Sequence, residues 1–203
     1  MEIPNYDFNE DEYTNFKQLY PYMPKSSFRM LICGNSGSGK TNLLYHILMR
    51  PLVYYDQIHL YGKHLEQEKY RHMIKELNDF SNEVGYDIIS YSNDEITLVT
   101  RRIDPNSQTI VISDDFVREK NKKLVDYFMQ GRNKNCSGFH YSTPKDTRLN
   151  CTHYILYERP NKNEISRICN ELAVTKDQYI KATKKPHSFL CIDKPMKRVK
   201  RNF

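Results

Sequence analysis

The stretch Gly34-Asn-Ser-Gly-Ser-Gly-Lys40-Thr41 decides the fold, because it fits the phosphate-binding pattern G-x-x-x-x-G-K-[ST]. Residues 28–33 precede it as a predicted buried strand, and residues 42–48 follow it as a predicted apolar helix. A phosphate-binding loop has to join a strand to a helix, because amides at the helix N-terminus hold the phosphates. Its glycines let the backbone wrap closely around an anion. The setting therefore favours a nucleotide site over a glycine-rich loop with a chance lysine.

This Walker A loop predicts which residues bind ATP. The expected nucleotide-binding residues are Gly34, Asn35, Ser36, Gly37, Ser38, Gly39, Lys40, Thr41 and Asn42. Lys40 is predicted to reach the β- and γ-phosphates, and Thr41 to bind Mg²⁺ through its hydroxyl. ATP and Mg²⁺ are thus the predicted cofactors.

Hydrolysis needs a second acidic site at the end of a neighbouring strand. Thr109-Ile-Val-Ile-Ser113 is a predicted buried strand rich in β-branched residues, and Asp114 and Asp115 follow it at once, as in a Walker B motif. Asp114 is predicted to hold Mg²⁺, and Asp115 to orient or deprotonate the attacking water. The alternative is an acidic turn at a strand end. Paired acids of this kind indicate a P-loop ATPase that moves polymers.

An arginine follows the next predicted helix, in Gly131-Arg-Asn-Lys-Asn135. Arg132 in such a loop can reach the γ-phosphate on a neighbouring subunit and stabilise charge in the transition state. The predicted catalytic residues are therefore Lys40, Asp115 and Arg132. The alternative for Arg132 is a surface or DNA-facing side chain, and Arg148 is a second candidate for the same role.

Strands and helices alternate from Ser26 onward. This order predicts an α/β fold with a mostly parallel sheet and helices on both faces. Predicted strands cover 28–33, 55–61, 87–91, 109–113, 137–141, 153–157 and 187–192. Predicted helices cover 40–49, 65–79, 92–102, 118–129, 161–172 and 176–183. The expected division is an N-terminal extension (1–25), an ATPase domain (26–193) and a basic C-terminal tail (194–203).

Composition narrows the class of protein further. The 203 residues carry a net charge of +6, with acids concentrated near the start and bases in the last ten residues. A basic tail suits nucleic acid or an acidic partner, although it is also typical of a solvated terminus. No run of about 18 apolar residues occurs, so no membrane helix is expected. Five scattered cysteines without a Cys-x-x-Cys pair indicate a reduced intracellular compartment.

The ordered motifs resemble those of the FtsK/HerA-type genome-packaging ATPases of large DNA viruses, virophages and Polinton/Maverick elements. The motifs that carry this resemblance are the Walker A loop, Pro51-Leu-x-Tyr-Tyr-Asp56, Leu65-Glu-Gln-x-x-Tyr70, the two acids, Gly131-Arg132, Pro144-Lys-x-x-Arg148-x-Asn150 and Phe189-Leu-x-Ile-Asp193. The resemblance implies a RecA-like core, a homo-oligomeric ring, and ATP-driven pumping of double-stranded DNA into a preformed capsid. Its implied location is a viral assembly site in the host cytoplasm or nucleus, with the virion as a further one.

One departure from the family pattern leaves alternatives open. Such ATPases usually place a Gln where this chain reads Phe139-His-Tyr-Ser-Thr-Pro144, so Ser142 or Thr143 would have to substitute. A second hypothesis is therefore a nucleotide-binding module that acts as a structural switch with little turnover. A third is another P-loop enzyme, either helicase-like or a small-molecule kinase.

Basic residues in three places are candidates for contacting DNA, and the alternative for each is exposed surface charge. The candidates are the basic tail, Lys134 and the run Lys120-Asn-Lys-Lys123. No helix-turn-helix or zinc finger is evident in the sequence. We therefore expect contacts to the phosphate backbone, with affinity that falls steeply as salt rises.

Overall fold

The computed structural model describes residues 23–24, 27–50, 52–94, 104, 106–114, 136–140, 149–159 and 162–202. Within these residues the chain forms eight strands and four helices, numbered here in chain order. The strands are β1 (Arg29–Cys33), β2 (Gln57–Gly62), β3 (Ile89–Ser92), β4 (Thr109–Asp114), β5 (Cys136–His140), β6 (His153–Tyr157), β7 (Phe189–Asp193) and β8 (Arg198–Arg201). The helices are α1 (Lys40–Met49), α2 (Glu68–Val84), α3 (Lys162–Leu172) and α4 (Lys176–Thr183).

All eight strands join one sheet in the order β3-β2-β4-β5-β1-β6-β7-β8. The pairs from β3 to β6 are parallel, whereas β7 pairs antiparallel with both β6 and β8. The carboxyl ends of parallel strands meet at one edge of a sheet, which is where ligands bind in open α/β folds. The loop after β1 and Asp114 at the end of β4 therefore share that edge, with β5 between their strands.

Helices cover both faces of the sheet, which confirms the predicted layering. Alternate strand residues belong to different clusters, because successive side chains of a strand point to opposite faces. One cluster joins α1 and α2 to Met30, Ile32 and Ile110. The other joins α3 and α4 to Leu31 and Val111. Burial on both sides explains why the central residues of β1 and β4 form uninterrupted apolar runs.

Local signals account for where two of the helices begin and end. The apolar residues of α2 recur at helical spacing, and the helix ends at Gly85 in the left-handed conformation (φ 79°). Helix α4 begins after Thr175, whose hydroxyl accepts the Gln178 N–H while the Gln178 side chain accepts the Thr175 N–H. This capping box satisfies amides that the helix leaves unpaired.

The C-terminal region departs from the predicted basic tail at 194–203. Arg198–Arg201 forms β8, an edge strand paired with β7 through backbone hydrogen bonds. Its side chains are mostly exposed, so the strand lacks the apolar alternation by which a buried strand is recognised. Charged residues are common on edge strands because they discourage pairing with another chain. The bases predicted to be a tail beyond the domain therefore extend its sheet.

Parts of the predicted organisation fall outside the described residues. These are most of the N-terminal extension, the helices predicted at 92–102 (beyond Asp94) and 118–129, and the DNA-contact candidates Lys134 and 120–123. Among the helices that are described, none has the length and apolar character needed to cross a membrane.

Candidate nucleotide-binding site

The Walker A loop connects β1 to α1 and leaves the start of that helix open. Gly39 precedes the helix with φ 101°, and Gly37 has φ 75°, both in the left-handed region that glycine tolerates. No side chain caps the N-terminus of α1, and its first turn carries no acidic residue. The first amides of the helix and the positive end of its dipole are thus available to an anion.

The loop also packs closely against β6, and this contact requires glycine at position 34. A Cβ atom at Gly34 would lie 2.5 Å from Ser38 Oγ and 2.7 Å from Tyr157 Cβ. Both distances are too short for any side chain without displacement of the loop or the strand. Gly34 therefore fixes the distance between the loop and the end of β6.

Lys40 lies across its own loop. Its ammonium group donates hydrogen bonds to the carbonyl oxygens of Gly34, at 3.0 Å, and Asn35, at 2.9 Å. These contacts hold the positive charge at the centre of the loop. A phosphate group that binds there meets a positioned cation, and hydrogen bonds between ionised groups are roughly twice as strong as neutral ones.

One cavity of about 950 Å³ extends along the edge of the sheet over this loop. Its volume is in the range of small-molecule and cofactor sites. The Walker A loop and the first turns of α1 form its floor. One side is lined by Gln67, Lys69 and Asp114 (the acid side), and the other by Tyr157, Arg159, His187 and Phe189.

Tyr70 of α2 holds the carboxylate on the acid side. Its hydroxyl donates a short hydrogen bond to Asp114 Oδ2. The Tyr70 side chain is buried, with 1% of its surface exposed, so the packing of α2 against the sheet fixes the position of this donor. The tyrosine restrains the Asp114 carboxylate at the place where the sequence predicts a metal ligand.

The oxygen donors where the floor of the cavity meets the acid side fit Mg²⁺. The Thr41 hydroxyl and the Asp114 carboxylate line the same cavity, and Mg²⁺ prefers oxygen ligands of this hard type. The other predicted nucleotide-binding residues of the loop, with Asn42, also lie at or beside this cavity. Their contacts with ATP remain predictions, as does the binding of metal.

The remaining predicted catalytic residues lie outside the described part of the chain. Asp115 follows the last described residue of β4, and Arg132 and the alternative Arg148 precede the next described segments. The sensor positions Ser142 and Thr143 are also outside it. The roles assigned to these residues stay predictions.

Sequence reasoning missed several residues that line the cavity. Gln67 lines the cavity, and Tyr70 bonds the lining residue Asp114. Both belong to the motif Leu65-Glu-Gln-x-x-Tyr70, which carries the resemblance to packaging ATPases but predicts no role for either residue. Lys69 lies between them on the acid side. Arg159 and His187 carried no signal, because they are 28 positions apart and no motif connects them.

Burial disfavours the ionised form of two tyrosines at and near the end of β6. Burial raises the pKa of Tyr157 far above its usual range, and it raises the pKa of Tyr179 to about 12. The Tyr179 hydroxyl donates to the Tyr157 carbonyl oxygen at 2.7 Å. This bond ties α4 to the end of β6, next to the nucleotide cavity.

Comparisons with known proteins agree with this geometry. Residues 15–186 match the family described as Poxvirus A32 protein. The structure is similar to that of the genome packaging NTPase B204 from Sulfolobus turreted icosahedral virus 2 in complex with AMPPCP (TM-score 0.62, 14% identity), covering 87% of this chain and 97% of that chain. The complex of the same protein with ATP-gammaS gives a TM-score of 0.62 at 13% identity, again with 87% and 97% covered.

The complex of B204 with sulfate gives a TM-score of 0.59 at 13% identity, covering 87% of this chain and 96% of that chain. At these identities the similarity shows the fold, which is that of a P-loop NTPase. No curated protein matches the chain.

Proposed function

The chain belongs to the poxvirus A32 protein family, and from that premise we propose that it is an ATP-driven translocase that packages double-stranded DNA into a viral capsid. The observation that carries the proposal is the cavity in which Lys40, Thr41 and Asp114 lie together. The similar B204 structures support ATP as the ligand, since that packaging NTPase was solved with ATP analogues.

In the proposed reaction, residues of this chain bind the triphosphate and neutralise its charge. The open N-terminus of α1 and the Lys40 ammonium bind the phosphates. Mg²⁺ held by Thr41 and Asp114 would supply a Lewis acid to the phosphate oxygens. Asp115 orients the attacking water and accepts its proton. The cleaved bond joins the β- and γ-phosphates, so the products are ADP and inorganic phosphate.

The proposed assembly is a homo-oligomeric ring in which Arg132 acts on the ATP of a neighbouring subunit. DNA in the channel of the ring contacts basic side chains, among which Arg198, Lys200 and Arg201 of β8 are exposed or partly exposed candidates. Capsid proteins are the second partner, at an intracellular site of virus assembly.

A ring that mixes two variants tests whether Arg132 acts on the neighbouring subunit: Arg132→Ala subunits should regain ATPase activity beside Asp115→Asn subunits. Two inactive variants that stay inactive when mixed contradict a role in trans.

The direct test of the enzyme is an ATPase assay with and without double-stranded DNA. We expect Mg²⁺-dependent hydrolysis that DNA stimulates, and loss of hydrolysis in Asp115→Asn. Asp79→Asn is the matched control, because Asp79 is an exposed residue of α2 that pairs with Lys75. Absence of hydrolysis under conditions in which the rings form overturns the enzymatic proposal.

A nucleotide-dependent switch with little turnover is the second candidate, and the missing Gln after β5 favours it. Gln67 is relevant to the missing Gln, because it lines the acid side of the cavity and could supply an amide side chain there from the start of α2. Native mass measurement combined with the same assay separates the candidates. A switch forms rings that bind ATP without hydrolysing it, whereas a translocase hydrolyses ATP in those rings.

A further inference from the structure

We infer that the nucleoside half of the nucleotide binds against Tyr157, Arg159 and His187, named here the β6–β7 wall. The inference rests on the proposed function, because it assigns a binding role to the second side of the same cavity. The Walker A motif specifies contacts to phosphates alone. The residues that hold a base and a sugar have to come from elsewhere in the fold.

The order of the strands gives the direction in which the nucleotide lies. The loop after β1 is at the middle of the cavity, Asp114 of β4 is on one side, and the β6–β7 wall is on the other. The metal and the γ-phosphate belong with Thr41 and Asp114. The triphosphate therefore extends from the acid side across the loop, and its nucleoside end reaches the wall.

His187 is held directly over the phosphate-binding loop. Its Nδ1 donates to the Ser38 carbonyl oxygen at 3.2 Å, and a Cβ atom placed at Gly39 would lie 3.4 Å from the same nitrogen. His187 also has a left-handed backbone (φ 58°), which a histidine adopts less readily than glycine or asparagine. His187 is exposed and lines the cavity, so its ring is accessible to a ligand.

The other two residues of the wall come from the end of β6. Tyr157 is buried against the loop, and its backbone is tied to α4 through Tyr179. Arg159 follows two positions later and lines the same cavity. A planar guanidinium and an imidazole both stack on the face of a purine, and the guanidinium N–H groups also donate to ribose oxygens. The wall thus offers the groups that a nucleoside requires.

Two ligands distinguish a wall that binds the nucleoside from a wall that only supports the Walker A loop. ATP has a nucleoside, and inorganic tripolyphosphate does not. Calorimetric titration of His187→Asn and Arg159→Gln should show about tenfold weaker binding of ATP, as expected for the loss of one stacking contact. Tripolyphosphate should bind both variants as it binds the wild type. Asparagine tolerates the left-handed backbone, and His187→Gly serves as a second variant there.

His64→Asn is the matched control, because this histidine is exposed and does not line the cavity. It should bind both ligands as the wild type does. Equal losses for ATP and tripolyphosphate, or no loss for either ligand, overturn the inference. A wild-type protein that binds tripolyphosphate as tightly as ATP overturns it as well. A wild-type protein that binds neither ligand overturns the proposed function itself.

Discussion

The acid side of the cavity and the β6–β7 wall are built in different ways. The acid side combines the end of a parallel strand with the first turn of α2, where Tyr70 bonds Asp114. The wall combines the end of β6 with the loop before the antiparallel strand β7. The residues proposed for phosphate and metal therefore belong to short motifs, whereas those proposed for the nucleoside are brought together by the way the C-terminal strands return to the sheet.

Replacement of Lys40 should have the largest effect, because Lys40 is proposed to bind the triphosphate, which is the part of the ligand that spans both sides of the cavity. We expect Lys40→Ala to weaken ATP and tripolyphosphate together, by about a hundredfold if two charged hydrogen bonds are lost. Calorimetric titration measures both affinities. Lys75→Ala, at an exposed surface ion pair of α2, is the control and should bind normally. A loss confined to ATP would show that Lys40 does not contact phosphate.

Replacement of Asp114 should affect the acid side alone. Asp114→Asn keeps the size of the side chain and removes the charge that is proposed to attract Mg²⁺. We expect the variant to lose the gain in ATP affinity that Mg²⁺ provides, while its affinity measured in EDTA equals that of the wild type. If binding in EDTA falls as well, Asp114 supports the loop rather than a metal.

Removal of the Tyr70 hydroxyl should also weaken the dependence of ATP binding on Mg²⁺, but less than Asp114→Asn does. Tyr70→Phe keeps the buried ring and deletes the donor to Asp114 Oδ2. Loss of a residue that orients a metal ligand typically costs about tenfold in metal affinity, so the Mg²⁺ concentration for half-maximal ATP binding should rise by about that factor. Tyr45→Phe is the control, because it deletes a similar bond to Glu76 (2.9 Å). Equal Mg²⁺ requirements in both variants contradict this role for Tyr70.

The smallest expected effect is on the pH dependence of stability. It involves one histidine on each side of the Walker A loop, in β2 and in β6. Burial lowers the pKa of His59 in β2, and it lowers the pKa of His153 in β6 against the opposing influence of Asp193. A lowered folded-state pKa means that the stabilisation is complete above the unfolded value of about 6.5 and is lost as the pH falls through the folded value.

Acidification from neutral pH should therefore lower the free energy of unfolding, by at most about 1.4 kcal/mol per pH unit for each histidine. Denaturant titrations between neutral and acidic pH measure this slope. His59→Gln should reduce it, while His64→Asn, at an exposed position, should not. A slope that is the same in His59→Gln and the wild type contradicts the contribution of His59.

Much of the fold could be predicted, because its strongest signals are local. The bounds of α1, β6 and α4 are confirmed at Lys40–Met49, His153–Tyr157 and Lys176–Thr183. Each element has a clear start or stop in the sequence, such as the Walker A glycines or the Thr175 cap. The edge strand β8 was missed, since its pairing depends on backbone hydrogen bonds and its side chains are mostly exposed and charged.

The residues of the candidate site likewise fall into those that a local motif predicts and those that only the fold brings together. Lys40, Thr41 and Asp114 were predicted and lie at one cavity, because each belongs to a contiguous motif. The hydroxyl of Tyr70 meets Asp114 across 44 positions of sequence, and His187 meets Ser38 across 149. Such contacts follow from the order of the strands, which composition and spacing do not reveal. The roles of Asp115 and Arg132 stay predictions.

Displacement of a third strand from triplex DNA tests the central claim most directly, because it reports movement along a duplex. Purified rings should displace a triplex-forming oligonucleotide from double-stranded DNA only when ATP and Mg²⁺ are both present. Asp115→Asn rings should bind the same DNA and displace nothing. Wild-type rings that hydrolyse ATP and leave the triplex intact would contradict DNA translocation by this protein.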